Sequence, residues 1–578
     1  MKIFCYPNTN VLDAAVVKNR LRAKFPDGSG PWLYPAVETP NGSNDVRLQD
    51  DIVINEIMYH YGGSSYQPYV ESSEEWLELY NRASTNISLD GWAFTEGIDY
   101  EFPPGTTIAP SGYLVVAKNT NALVVKYPAI DIVGNYGGQL ADGGERILLV
   151  DDRGNPADEV TYHDSRPWPE YADGLGSSLE LRHPDADNNS VGAWAASDEG
   201  LTSVWTNYTY TMVATNPVYD PNNTDLFPEL RIGLLYEGEI LIDNISVIED
   251  PGGAARELMQ NGTFNASSNF WRFMGTHEFS EVIPNPENPT NPCLRLLSSG
   301  PMSYLSNRGE STLKFGPSYV SVSAGTEYRI SFDAKWIGGC PQFHTELYYT
   351  EVADTTALVM PSGLGTPGAR NSRYENNVGP TFRNAIHAPA VPPAGQPATV
   401  SIRADDSDGI ANLTLWYSVA GGAWINQAMN PGAGGTYSAD IPGQGAGTAV
   451  EFYVEGVDAL SATSRWPARV DARAMLEFED NRSVADKNNI RIIMTSDEWA
   501  FMRDPVREMG NHRLGCTVIY NESEIIYDCR IRLKGSMWSR PNGGFNMRFP
   551  ADHLFRGVHG KVRFDHARFQ EILVKHMA

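Results

Sequence analysis

Five cysteines occur and no C-x-x-C pair, so a structural zinc site is not expected. One pair is informative. Cys516-Thr517-Val518-Ile519-Tyr520 and Ile525-Ile526-Tyr527-Asp528-Cys529 are strand-like runs on either side of Asn521-Glu522-Ser523-Glu524. A turn centred between Glu522 and Ser523 sets Cys516 directly opposite Cys529. Opposed Cβ atoms in a ladder lie about 4.5–5.5 Å apart, a small adjustment from disulfide geometry. The alternative reading is two small half-buried hydrophobes. Cys293 and Cys340 could form a second pair.

Two acidic runs invite a calcium reading. In Asp405-Asp406-Ser407-Asp408-Gly409 the EF-hand register puts Gly409 at its sixth position, Ala404 at its first and Leu415 at its twelfth, where a carboxylate is needed. That register fails and leaves an acidic turn. Asp185-Ala186-Asp187-Asn188-Asn189 offers oxygens at alternate positions, but Ala196 stands where the closing Glu belongs, so only a loose calcium site remains open. No P-loop, HExxH or G-x-S-x-G occurs, and the 11 His fall at no convincing metal-ligand spacing. Walker-type hydrolysis, zinc proteolysis and hydrolase-elbow chemistry therefore lack support.

The elements that would position these residues are mostly strands. Residues 1–50 read as an irregular segment and linker, with Pro31, Pro35 and Pro40 close together. From Asp51 to about residue 198, short strands recur with Gly, Pro and Asn breaks, the pattern of a sandwich. Glu75-Trp76-Leu77-Glu78-Leu79-Tyr80-Asn81 alternates, which puts Trp76 off the Leu77/Leu79 face. The ordered set INEIMY (54–59), EEWLELYN (74–81), DGWAF (90–94), FPPGTTIAPSGYLVV (102–116) and GGERILLVDDRG (143–154) resembles the lamin tail domain. The resemblance implies an immunoglobulin-like sandwich with a binding or scaffolding role and no catalytic residues.

Residues 199–360 read as a second β-rich domain. Ile240–Val247, residues 261–264 and residues 328–336 resemble strands of a galactose-binding-like jelly roll, in an order that suggests permutation. Sugar binding would need exposed aromatics; Trp271 and Trp336 read equally as core. Gly365-Thr366-Pro367-Gly368-Ala369-Arg370-Asn371 opens a linker placed at 361–394. Strand patterns over 395–475 resemble bacterial immunoglobulin or fibronectin-type spacers.

The last segment, 485–578, changes to an incomplete α+β pattern. Thr495-Ser496-Asp497-Glu498 has capping-box spacing into a short helix near 499–502. Arg532-Leu533-Lys534-Gly535-Ser536-Met537-Trp538-Ser539-Arg540 resembles the start of the spore-coat (CotH-type) kinase family. By that resemblance Lys534 and Arg540 are cofactor-binding cations facing the phosphates of ATP with Mg. The metal-binding acids the family implies would lie past Ala578, so an enzyme is left open, and residues 569–578 read as an amphipathic helix cut mid-pattern. The chain reads as a fragment without a visible signal peptide.

Composition fits this organisation. At 578 residues the chain exceeds one core. Its 53 Gly, 38 Pro, 28 Tyr and 13 Trp suit short strands and tight turns. The excess of 71 acidic over 44 basic residues, formally −27, repels phosphate backbones and argues against nucleic acid. No apolar run reaches the length of a membrane helix. The expectation is a mainly β, tandem-sandwich protein at the cell surface or outside the cell. Its ligand would be a carbohydrate, a cell-wall polymer or a protein, with structural Ca as a further option.

Overall fold

The computed structural model describes residues 2–5, 10–14, 20–61, 74–215, 227–302, 306–348, 350–469, 471–480, 489–505, 507–535, 540, 544–564 and 572–577. The chain is mainly β, and among the described residues the α-helices are Thr120–Lys126 and Ser496–Arg503. It divides into two compact units. One holds Met1–His60, Ser72–His163 and Thr366–Asn371; the other holds Tyr61–Glu71, Asp164–Gly365 and Ser372–Ala578.

In the first unit Ile132–Gly134, Tyr113–Ala117, Trp76–Asn81 and Ile52–Met58 lie side by side in that order. A second sheet orders Pro156–Thr161, Arg146–Val150, Ala93–Glu96 and Tyr100–Glu101. Ile54, Leu77, Leu79, Ile147, Leu149 and Val160 are fully buried. The expected alternation in 75–81 holds, yet Trp76 and Glu78 are as buried as Leu77 and Leu79.

The reason lies far along the chain. Thr366–Asn371, expected as the opening of a linker, belongs to this unit and supplies hydrogen bonds to its acids. Gly368 N–H donates to Glu78 Oε2 at 2.5 Å. Thr366 donates its N–H to Glu56 Oε1 at 2.8 Å and its hydroxyl to Oε2 at 3.2 Å. Asn55 donates to Glu78 Oε1 and to Asn371 Oδ1, each at 2.8 Å. Buried carboxylates need such partners. Gly368 has φ +78°, and a Cβ there would meet Ile130 Cγ2 at 2.4 Å, so glycine is required.

In the second unit one sheet orders Thr206–Val213, Glu327–Gly339, Gly238–Glu249, Asn288–Ser298 and Glu281–Asn285. The other orders Trp271–Met274, Arg308–Thr312, Glu229–Leu234, Gln342–Leu347 and Ala353–Ala357. Residues 261–264, expected as an opening strand, form a turn with Asn261 and Phe264 at positive φ.

A smaller sandwich follows. Thr381–Ala388, Ala398–Asp405, Thr436–Ile441 and Asn430–Pro431 make one sheet. Ile425–Ala428, Ile410–Val419, Ala449–Asp458 and Thr463–Trp466 make the other, and Ala474–Glu477 also pairs with Ala449–Asp458. The expected linker 361–394 therefore contains this sandwich's first strand, disguised by the prolines around it.

The final sheet orders Lys561–Phe564, Phe545–Arg548, Glu524–Leu533, Leu514–Tyr520, Ile490–Thr495 and Ile572–Met577. Ile572–Met577 is a strand running parallel to Ile490–Thr495, not the expected helix. Its Ile-Leu-Val run suits a parallel strand better than a half-polar helix. The N-cap half of the expected capping box forms, Thr495 Oγ1 accepting the Glu498 N–H at 3.2 Å, while the Glu498 carboxylate accepts the Thr495 hydroxyl at 2.9 Å.

Cys516 and Cys529 are register partners and both are buried free thiols. The route to that register differs from the expected one. Tyr520 pairs with Glu524 around a three-residue turn, and a bulge restores the register by placing Tyr527 and Asp528 against Thr517. The bulge sends Tyr527 into the core of the preceding sandwich, where its hydroxyl meets His387 N at 3.0 Å and Nδ1 at 2.5 Å.

Candidate functional site

The two acidic runs, read separately above, meet in one place. A cavity of about 210 Å³ is lined by His183, Asp185 and Asp187 from one loop, Asp405, Asp406 and Ser407 at the end of Ala398–Asp405 and the loop after it, and Asn377 and Thr381. Arg383 joins the loops, pairing with Asp187 at 2.9 Å and Asp405 at 2.7 Å. Burial works to raise the Asp405 carboxyl, but hydrogen bonds from Arg383 and Arg403 outweigh it and hold it below the ordinary range.

Beside this cavity, carboxylate oxygens of Asp406, Asp408 and Asp458 lie within 4.8 Å of one another. Asp458 closes the strand Ala449–Asp458, whose ladder sets it opposite Ile410. Only 1% exposed, it accepts Leu460 and Ala462 N–H at 2.8 Å and Asn377 Nδ2 at 2.6 Å. Burial, followed by the Asp458 and Asp408 charges, pushes the Asp406 carboxyl up. Three convergent oxygens are hard-cation donors, and calcium would draw its remaining ligands from carbonyls and water. The EF-hand register fails as expected; the third carboxylate comes from another strand, about fifty residues on. No local spacing announces Asp458.

The solvent face of the same sandwich carries aromatic rings. Trp416 and Tyr453 are direct cross-strand partners with centroids 6.0 Å apart and planes 10° apart. The Arg465 guanidinium stands 4.1 Å from the Tyr453 centroid. Trp424 meets Tyr453 edge-on at 5.0 Å and is 43% exposed. Thr414 and Glu455 share this face by the two-residue strand period. Such a set offers an apolar ring surface beside polar groups, the chemistry that holds a sugar ring.

The other expected residues sit as follows. Trp271 and Trp336 are buried, and their indole N–H groups donate to Asn261 O at 3.3 Å and Gly339 O at 3.0 Å. They are core residues. Arg540 is buried too, with Nη1 on Met509 O at 2.7 Å and Gly510 O at 3.0 Å, Nε on Gly535 O at 3.1 Å and Nη2 on Asn511 Oδ1 at 3.3 Å. Lys534 is half-buried just past the end of Glu524–Leu533. Residues 536–539 of that motif lie outside the described residues. Burial pushes the Cys516 and Cys529 thiols above their ordinary range, away from thiolate reactivity.

Residues 47–164 match the family model of the Lamin Tail Domain. No curated protein matches the chain. Among solved structures, BhCBM56 is similar at 13% identity, covering 16% of this chain and 88% of that one, with a TM-score of 0.12. A Ca²⁺-stabilized adhesin with which an Antarctic bacterium binds ice matches at 10% identity over 89% of this chain and 90% of its own, TM-score 0.13. A 1.5-MDa bacterial ice-binding adhesin matches at 12% identity over 70% and 90%, TM-score 0.12. These TM-scores are too low to indicate a shared overall fold.

Proposed function

We propose that this is an extracellular or cell-surface multidomain protein that binds a carbohydrate through the outer face of the sandwich spanning residues 381–477. The observation that carries the reading is the exposed Trp424 set against Tyr453, Trp416 and Arg465. The matched Lamin Tail Domain serves as scaffold. Retention of the purified chain on immobilised cell-wall and other neutral polysaccharides tests the proposal. Trp424→Ala should weaken retention at least about tenfold, the scale of a lost aromatic anchor. Unchanged retention would remove this face from consideration, and absence of surface labelling on intact cells would remove the location.

A nucleotide role for residues 485–578 is the second reading, supported by Lys534 lying two residues beyond Arg532 in a basic stretch. Arg540 spends its donors on carbonyls and on the Asn511 side-chain oxygen, so a phosphate would have to displace them. Magnesium-dependent ATP binding lost in Lys534→Ala would support it.

A further inference from the structure

The chain is strongly acidic, yet half of one sheet face is lined by basic side chains. In the final sheet Ile531, Leu533, Phe545, Met547 and Phe564 point into the core. The alternate positions carry Arg530 and Arg532 on one strand, Arg548 beside Asn546 on the next, and Lys561 and Arg563 on the outermost. Arg513 immediately precedes Leu514, the partner of Ile531, and so continues the row toward Arg532.

At the other end of the same face Ile493 and Ile519 pack with Ala449 and Met475, and Ile525 and Tyr527 enter the preceding sandwich's core. The apolar half is thus covered from within the chain.

In the basic half direct ion pairs are fewer. Arg530 and Arg548 are direct cross-strand partners, an unfavourable like-charge pair. Arg530 has Asp471 at 2.8 Å. The other acids facing this end are Glu170, already bonded to Arg166, then Asp528 and Glu237. Among the described residues no carboxylate pairs with Arg513, Arg548, Lys561 or Arg563. The Nε atoms of Arg513 and Arg548 are buried without a hydrogen-bond acceptor. Buried donors left unmade are costly, more so on a charged group.

We propose that this basic half-face binds a phosphate- or sulfate-type oxyanion between Arg513, Arg532 and Arg548, with Lys561 and Arg563 at its exposed rim. A tetrahedral oxyanion offers several acceptors to guanidinium forks at once. Adjacent strands lie about 4.8 Å apart, so one such group spans neighbouring side chains. A long polyanion would run off the patch into the acidic remainder, which favours a compact charged group. The site requires neither the carbohydrate reading nor the nucleotide reading.

The test uses the whole chain with inorganic phosphate as the probe, titrated by calorimetry at constant ionic strength against chloride. Saturable phosphate binding is expected, weakened at least about tenfold in Arg548→Gln by loss of a charge-assisted contact. The exposed variant Arg563→Glu, which leaves the core untouched, should weaken it several-fold and keeps the test valid if Arg548→Gln misfolds. Trp424→Ala should bind phosphate as the parent does. Competition by Mg·ATP would assign the group to a phosphate ester, and competition by a monosaccharide sulfate to a sulfate ester. Chloride matching phosphate, or both Arg variants binding like the parent, would overturn the proposal.

Discussion

Two sheet faces in this protein carry charge away from the hydrophobic core, and they are handled differently. In the first unit Glu56 and Glu78 are buried beneath Thr366–Asn371, whose backbone and side-chain donors meet their oxygens. In the final sheet Arg513 and Arg548 retain buried Nε donors with no acceptor, and directly opposed guanidiniums face one another. The acidic face has been built into the fold by its own chain. The basic face has the character of a site whose partner comes from outside. Charge on a sheet face is thus structural or functional according to whether the chain itself returns to satisfy it.

The largest effect is expected at Gly368. Gly368→Pro removes the N–H donated to Glu78 and forbids the positive φ, so a loss of about 3–5 kcal/mol is expected. Arg548→Gln should cost less than about 1 kcal/mol without phosphate present, since it also relieves repulsion from Arg530. Urea unfolding of both variants decides it; equal losses would erase the distinction between the two faces.

Asp528 makes the basic end of the final sheet sensitive to pH. Burial raises its carboxyl to about 6, above the unfolded value. The stability it contributes is therefore fully present below pH 4 and is lost as pH rises through 6, by about 3 kcal/mol. Asp528→Asn should flatten the stability profile between pH 4 and 7. A profile unchanged by the substitution would mean that the carboxylate is already accommodated by Arg166 and Arg530.

Gly368→Ala keeps the N–H donor and adds only strain and a contact with Ile130, so about 1–3 kcal/mol is expected. A loss matching that of the proline variant would place the whole effect in backbone conformation. The smallest effect belongs to Arg563→Glu, on the exposed rim, at under about 0.5 kcal/mol by thermal unfolding. A larger loss would show that the rim is already part of the fold's own packing.

Much of the architecture was legible because strands announce themselves by alternation and turn residues. The strands near 412–419 and 450–457, those of the Lamin Tail Domain and the Thr495 N-cap follow from spacing within a few residues. The Cys516–Cys529 opposition was legible too, although the turn is one residue different and the bulge at Tyr527 and Asp528 compensates. Thr381–Ala388 was hidden by surrounding prolines, and Ile572–Met577 by a period too short to separate strand from helix. Trp424 and Tyr453 gave no sign of meeting, since one is in a loop and the other on a strand pairing from further along.

By itself the sequence determined which side chains share a face, since the two-residue period of a strand is local and indifferent to distant chain. It placed Glu78 opposite in sense to Leu77, and Arg530 and Arg532 together. What lies against each face was decided only in three dimensions. Gly368 reaches Glu78 across 290 residues, and Asp458 reaches Asp406 and Asp408 through a strand ladder. Covering a charged face requires donors or counter-charges at hydrogen-bond distance, and their supply depends on the path of the whole chain.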